Sequence, residues 1–110
     1  MLITAGASEA ILFTMMAIAD SGDELIVPEP FYANYNGFAQ MADVSIKPVS
    51  TGIEQGFSIP SLSAFERAIS PRTRAIMLSN PGNPTGKLYD VKVLTALADL
   101  ARSQQIFLVV

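Results

Sequence analysis

Apolar residues in this chain fall into short, nearly continuous runs, separated by longer stretches in which they recur at helical spacing. Leu2-Ile3-Thr4, Glu24 to Val27, Val44 to Val49, Arg74 to Leu78 and Ile106 to Val110 read as strands. The first helix is predicted over Glu9 to Asp20, with Ser8 as its N-cap and Ser21-Gly22 as its stop. A weaker one spans Tyr32 to Met41, interrupted by Gly37. A third runs from Ser61 to Ile69, with Leu62, Phe65 and Ile69 on one face and Ser63 and Glu66 spaced as a capping box. A fourth runs from Val91 to Ser103, where Val91, Leu94, Leu97, Ala98 and Ala101 share a face. Pro28 closes the second strand. Pro48 has no N–H to give to a ladder and so puts the third strand at a sheet edge. Ser50 to Gly56 reads as a loop.

Strands that are apolar on both faces, alternating with amphipathic helices, predict a three-layer α/β fold: a mostly parallel sheet with helices on both faces. A length of 110 residues holds one small domain. The most apolar stretch, Ala10 to Ala19, is broken only by Thr14. It is shorter than the roughly 20 residues that cross a bilayer, and no basic residue precedes it, so it reads as a helix buried on most sides. The chain begins on a strand and ends on an uncapped apolar one. The expectation is therefore a single partial domain, residues 1–110, from a larger fold.

Composition narrows the chemistry. Half the residues are hydrophobic and 15% are charged, which supports a packed core. The net charge is −3 and the basic residues are scattered, so no cationic footprint for nucleic acid is present. Without cysteine or histidine the chain has no disulfide, thiolate or histidine-based chemistry and no typical zinc site. Lack of cysteine fits a cytoplasmic location, which is the expected one.

Three segments at strand ends carry the polar chemistry. Thr4 to Ala10 joins a strand to a helix through small residues; the free N–H groups there, with the Ser8 hydroxyl, suit an anion, and a plain turn capped by Ser8 suits the same residues. Pro28 to Tyr35 places Phe31, Tyr32 and Tyr35 either against a flat ligand ring or against the sheet. Ser79-Asn80-Pro81-Gly82-Asn83-Pro84-Thr85-Gly86 is a rigid polar loop, placed where open α/β sheets bind ligands. Asn83 there is suited to hydrogen-bond a ring substituent or a carboxylate; the alternative is a turn whose Asn side chains bond the backbone.

In this order and spacing, the three segments resemble the large domain of class I/II pyridoxal-phosphate-dependent aminotransferases of fold type I. Thr4 to Ala10 is similar to the family's phosphate-binding turn. Gly22 to Pro28 followed by Pro30-Phe31-Tyr32 is similar to the segment with the ring-stacking aromatic. Asn83-Pro84-Thr85-Gly86 is similar to the family's Asn-Pro-Thr-Gly signature. The resemblance implies pyridoxal 5'-phosphate as cofactor, its phosphate held by the N–H groups of Ala7 and Ser8 and the Ser8 hydroxyl. It implies Tyr32 stacked on the pyridine ring and Asn83 donating to the ring's phenolic oxygen. Tyr35 reads as core. The implied activity of the parent is transfer of an amino group from an amino acid to a 2-oxo acid, by a homodimer without nucleic-acid or membrane partners.

The family's Asp for the pyridinium nitrogen, its Schiff-base Lys and its substrate-binding Arg follow beyond the point matching Val110. The lysines present are Lys47, Lys87 and Lys92, and Lys87 reads as a solvated loop residue. The 110-residue chain is thus expected to be inactive alone. The family's sheet order, 3-2-4-5-6-7-1 with the seventh strand antiparallel, gives this chain strands one to five. Strand one is then expected either to pair elsewhere or to be covered by a partner. Two other readings stay open: a non-catalytic aminotransferase-like module (a regulator's domain or an excised folding unit), and a lyase or decarboxylase of the same fold.

Overall fold

The computed structural model describes residues 1–110. Four parallel strands form its sheet: β1 (Glu24–Glu29), β2 (Ser45–Ser50), β3 (Thr73–Met77) and β4 (Phe107–Val109), in the order β2-β1-β3-β4. This is the 3-2-4-5 portion of the order the resemblance implies. The helices are α1 (Ala7–Ile18), α2 (Asn34–Met41), α3 (Leu62–Ala68) and α4 (Val91–Ser103), with a single 3₁₀ turn at Ile53–Gln55 inside the expected loop.

Alternation along the central strands sorts the core into two layers. Leu25 and Val27 of β1 join Ala75 and Met77 of β3 under α1 and α2, where Met15, Tyr35 and Ala39 meet them. Ile26 and Ile76 face the other way, onto Phe65 of α3 and Leu97 and Leu100 of α4. Side chains on a strand point to alternate faces, so the apolar runs fill both layers and the sheet is covered on both sides. β2 lies at one edge with Pro48 opposite Val27, as the missing proline N–H requires. The β1–β3 register skips Arg74, since Glu24 pairs with Thr73 and Leu25 with Ala75. The Arg74 guanidinium meets Asp23 at 2.8 Å.

Several expectations need correction. Leu2-Ile3-Thr4 is not a strand, and it pairs with no other part of the chain. The sheet edges are β2 and β4, neither of which it reaches, and a lone strand gains no ladder hydrogen bonds to offset its ordering. The chain thus supplies four strands rather than five. Ser8 is not the N-cap of α1: the helix begins two residues earlier than expected, Gly6 takes the cap position, and no side chain caps it. Instead the Glu9 carboxylate reaches back to accept the Ala5 N–H at 2.7 Å. The capping box in α3 does not form either, because Ser63 Oγ pairs with Ser61 Oγ at 2.8 Å and accepts from Arg67. Nor is α1 buried on most sides. Met15 is its one buried residue, while Phe13 and Met16 are exposed.

Candidate functional site

The site grows from the carboxyl ends of β1 and β3, beside the amino end of α1. Ala7, Ser8 and Ile11 of α1, Tyr32 just ahead of α2, Tyr35 within it, and Ser79 and Asn83 after β3 line one open cleft of about 330 Å³. All four residues singled out for the cofactor, Ala7, Ser8, Tyr32 and Asn83, are on its wall. Small-molecule sites commonly start at about 300 Å³, so the cleft is of ligand size. A more apolar hollow of about 350 Å³ shares Ala7, Ile11, Tyr35 and Ser79 and continues over Met77 and Val109 beside the open edge of β4.

Each wall has its own local cause. The start of α1 leaves the N–H groups of Ala7 and Ser8 without intrahelical partners, because helix geometry offers them no carbonyl four residues back. Ala10 is the first to bond in this way, to Gly6 at 3.1 Å. Both Ala7 and Ser8 are exposed. On the second wall, the Tyr32 ring meets Tyr35 edge-on, with centroids 5.7 Å apart and planes at 84°. Its hydroxyl accepts a hydrogen bond from Asn34 Nδ2 at 2.8 Å. Phe31 stacks on Tyr35 with centroids 6.1 Å apart and planes at 16°. Phe31 and Tyr32 also pack against the core, as the second reading of the aromatic segment expects. Tyr35 is buried, as expected, yet it also lines the cleft. Burial pushes its hydroxyl above the ordinary tyrosine range, which keeps it protonated and neutral at pH 7.

The third wall is the loop between β3 and α4. Its Asn80–Pro81 and Asn83–Pro84 peptide bonds are cis. The Asn83 N–H is fixed to Ser79 Oγ at 3.0 Å, and its side chain makes no hydrogen bond within the chain. Asn80 does the reverse: its side chain bonds the backbone of Tyr89 through both amide atoms. Asn80 thus follows the turn reading of the loop, while the Asn83 amide is left without a partner in the chain. Gly86 takes φ 69°, a left-handed conformation that glycine adopts without cost.

Three features escaped the sequence reading. Ser79 and Ile11 had no assigned role, though Ser79 opens the loop and Ile11 lies one turn along the same helix face as Ser8. Lys87, expected to be solvated, is half-buried and donates from Nζ to Ser58 Oγ at 2.9 Å in a separate hollow of about 150 Å³. It does not line the cleft.

No helix is long and apolar enough to cross a membrane. No group of three or more His, Cys, Asp or Glu side chains is placed to hold a metal ion.

A family model described as "Aminotransferase class I and II" matches residues 1–110. The aspartate/prephenate aminotransferase of Thermus thermophilus is 39% identical over 108 residues, covering 98% of this chain and 28% of that protein. A probable aspartate aminotransferase of Methanocaldococcus jannaschii is 32% identical over 108 residues, with the same coverage. The solved structure of the Thermus thermophilus aspartate aminotransferase with maleate superposes with a TM-score of 0.89 at 39% identity, covering 96% of this chain and 27% of that one. This chain thus spans little more than a quarter of the length of the relatives it matches. The match over all its residues and the shared fold have one reading: the chain belongs to the class I and II aminotransferase family.

Proposed function

We propose that this chain forms the cofactor-facing part of a pyridoxal-phosphate-dependent aminotransferase, which moves an amino group from an amino acid to a 2-oxo acid. The observation that carries the reading is the convergence of Ala7, Ser8, Tyr32 and Asn83, from three separate segments, on one cleft. The donor set suits the cofactor. Open N–H groups and a hydroxyl at a helix start favour a phosphate dianion. A half-buried aromatic suits a flat ring. An unpartnered amide on a fixed loop suits a ring oxygen.

In this proposal the Ala7 and Ser8 N–H groups and the Ser8 hydroxyl hold the phosphate, Tyr32 covers a ring face, and Asn83 Nδ2 donates to the phenolic oxygen. Asn83 thereby fixes the ring's rotation and favours the oxygen's anionic form. Pyridoxal phosphate, when bound, supplies the electron sink for bonds at the amino acid's α-carbon. Tyr35, neutral and at the cleft wall, adds an apolar surface with a hydroxyl that keeps its proton. None of Lys47, Lys87 and Lys92 lines the cleft, so this chain brings no amine to it, and turnover by the 110-residue chain alone is expected to be absent. Cytoplasmic location and homodimeric assembly of the whole protein belong to the same proposal and come from the family resemblance.

The test is titration of the chain with pyridoxal phosphate, followed by absorbance, against pyridoxal without its phosphate. Phosphate-dependent binding that weakens about tenfold in Asn83→Ala is expected, the loss of one hydrogen bond to a charged acceptor. Equal binding of the two compounds, or binding indifferent to Asn83→Ala, overturns the assignment, as does measurable amino transfer by the chain alone for the claim of inactivity.

A further inference from the structure

The loop that carries Asn83 is closed at its base by a side chain. Asn80 Oδ1 accepts the Tyr89 N–H at 2.9 Å, and Asn80 Nδ2 donates to the Tyr89 carbonyl at 3.3 Å. One side-chain amide thus pairs with one residue's backbone in both directions, as a neighbouring strand would. Tyr89 is itself buried with Phe65, Leu97 and Leu100, and it directly precedes Asp90, the cap of α4. The clamp therefore ties the start of the loop to a point held by the core.

Inside the clamp the backbone folds on itself. The Gly82 N–H donates to the Lys87 carbonyl at 2.7 Å and the Gly86 N–H to the Gly82 carbonyl at 2.7 Å. A Cβ on Gly82 would lie 2.8 Å from Thr85 Oγ1 and 3.3 Å from the Lys87 carbonyl, so the crossing leaves no room for a side chain. Asn83 sits at the turn of this folded loop. Its own backbone has one further tie, to Ser79 Oγ.

We infer that Asn80 is the positioning residue for Asn83: its two hydrogen bonds to Tyr89 set where the Asn83 amide meets the ligand in the cleft. The inference rests on the cofactor-binding reading above. Asn80 borders the adjoining hollow but does not line that cleft, so its effect there runs through the loop. An exposed loop with Asn83 on its outer turn would otherwise spread that amide over many orientations, and only a fraction of them would meet a ring oxygen.

The test uses pyridoxine 5'-phosphate, which keeps the ring, phenolic oxygen and phosphate but has no aldehyde to react with Lys47, Lys87 or Lys92. Affinity is measured by calorimetry for the chain, Asn80→Ala, Asn80→Asp, Asn83→Ala and the Asn80→Ala/Asn83→Ala double variant, with inorganic phosphate as a second ligand. Asn80→Ala is expected to weaken pyridoxine phosphate about as much as Asn83→Ala, near tenfold, and to add nothing in the double variant. Asn80→Asp, which keeps the acceptor for the Tyr89 N–H, recovers part of the loss. Inorganic phosphate, held at the start of α1, binds all variants alike, which also reports that they are folded. Unchanged pyridoxine phosphate binding in Asn80→Ala beside a loss in Asn83→Ala overturns this inference alone, as do losses that multiply in the double variant. Failure of the unsubstituted chain to bind pyridoxine phosphate, or indifference to Asn83→Ala, overturns the cofactor reading and this inference with it.

Discussion

Helices α1 and α4 are of nearly equal length, 12 and 13 residues, and their sequences invite opposite expectations. α1 is the more hydrophobic, with an almost unbroken apolar run. α4 carries Lys92, Thr95, Asp99 and Arg102 among its apolar residues. Yet α4 buries Leu97, Leu100 and Ala101, whereas α1 buries only Met15 and leaves Phe13 at 41% and Met16 at 60% exposure. The sheet offers each helix one face, so only a stripe of apolar residues can be covered. In α4 most apolar residues lie on that stripe and the polar ones point out, although Val91, expected on the stripe, stays exposed in the first turn. In α1 they continue around the cylinder, and the half turned away from the sheet stays uncovered. Periodicity, and not total hydrophobicity, determines how much of a helix the sheet can hold.

The comparison breaks most visibly under truncation. Leu97 is fully buried between α4 and the sheet, and Leu97→Ala is expected to cost about 2–5 kcal/mol of stability, the transfer and cavity terms together. Met16→Ala removes a comparable apolar volume from α1 and is expected to change stability by less than about 0.5 kcal/mol. Urea unfolding of the two variants side by side measures the difference. A Met16→Ala loss as large as that of Leu97→Ala would mean that the outer face of α1 is covered in solution.

A smaller contrast lies at the helix starts. Asp90 Oδ1 accepts the Val93 N–H at 2.9 Å and satisfies one of the open donors of α4. Asp90→Ala is expected to cost about 1 kcal/mol. Ser8 makes no such bond, so Ser8→Ala should be close to neutral in the chain without ligand. Thermal unfolding compares the two, and equal losses would show that Ser8 caps α1 after all. An open start to α1 is also what an anion needs, so the helix end that is poorer for stability is the better one for binding.

These contrasts explain what the sequence could and could not reveal. The bounds of α4 were legible to the residue because Asp90, the apolar stripe and the trailing polar residues agree. The central strands were legible because Leu25, Ile26, Val27, Ala75, Ile76 and Met77 are apolar on both faces, as only a covered parallel strand is. The ladder of Leu2-Ile3-Thr4 was not, since strand pairing depends on a neighbour that local sequence does not contain. The cap was misplaced by two residues because Gly6 and Ser8 are both tolerated there, and Glu9 reaches back to Ala5. In the site, residue types marked Ser8, Tyr32 and Asn83 as chemistry. Nothing in the types separates Asn83, which keeps its amide free, from Asn80, which spends its own on Tyr89 nine residues away.

The finest contrast is electrostatic and lies at the opposite end of the sheet, where adjacent carboxylates accept from different turns and Asp23 also pairs with Arg74 of β3. Asp23 Oδ2 accepts the N–H of Asp20, which trails α1, at 2.9 Å. Glu24 holds the turn between α3 and β3: Ser70 Oγ donates to Oε2 at 2.6 Å and Arg72 meets Oε1 at 2.5 Å. The Ser70 hydroxyl, aided by Arg72 and opposed by burial, holds the Glu24 carboxyl below its ordinary value of 4.5. A carboxyl with a depressed folded pKa binds its proton more readily when the chain is unfolded. Its contribution is therefore complete above pH 4.5 and is lost as pH falls through the folded value. Arg72 is largely exposed, so the ion pair itself adds about 1 kcal/mol or less. Glu24→Gln is expected to flatten the acid limb of the stability curve below pH 4.5 and to speed amide exchange at Thr73, whose N–H bonds the Ser70 carbonyl at 3.0 Å. The Asp20 amide, held by Asp23 on the α1 side, should keep its protection. Faster exchange at both amides would mean that Glu24 braces both turns, through the Asp23–Arg74 pair beside it.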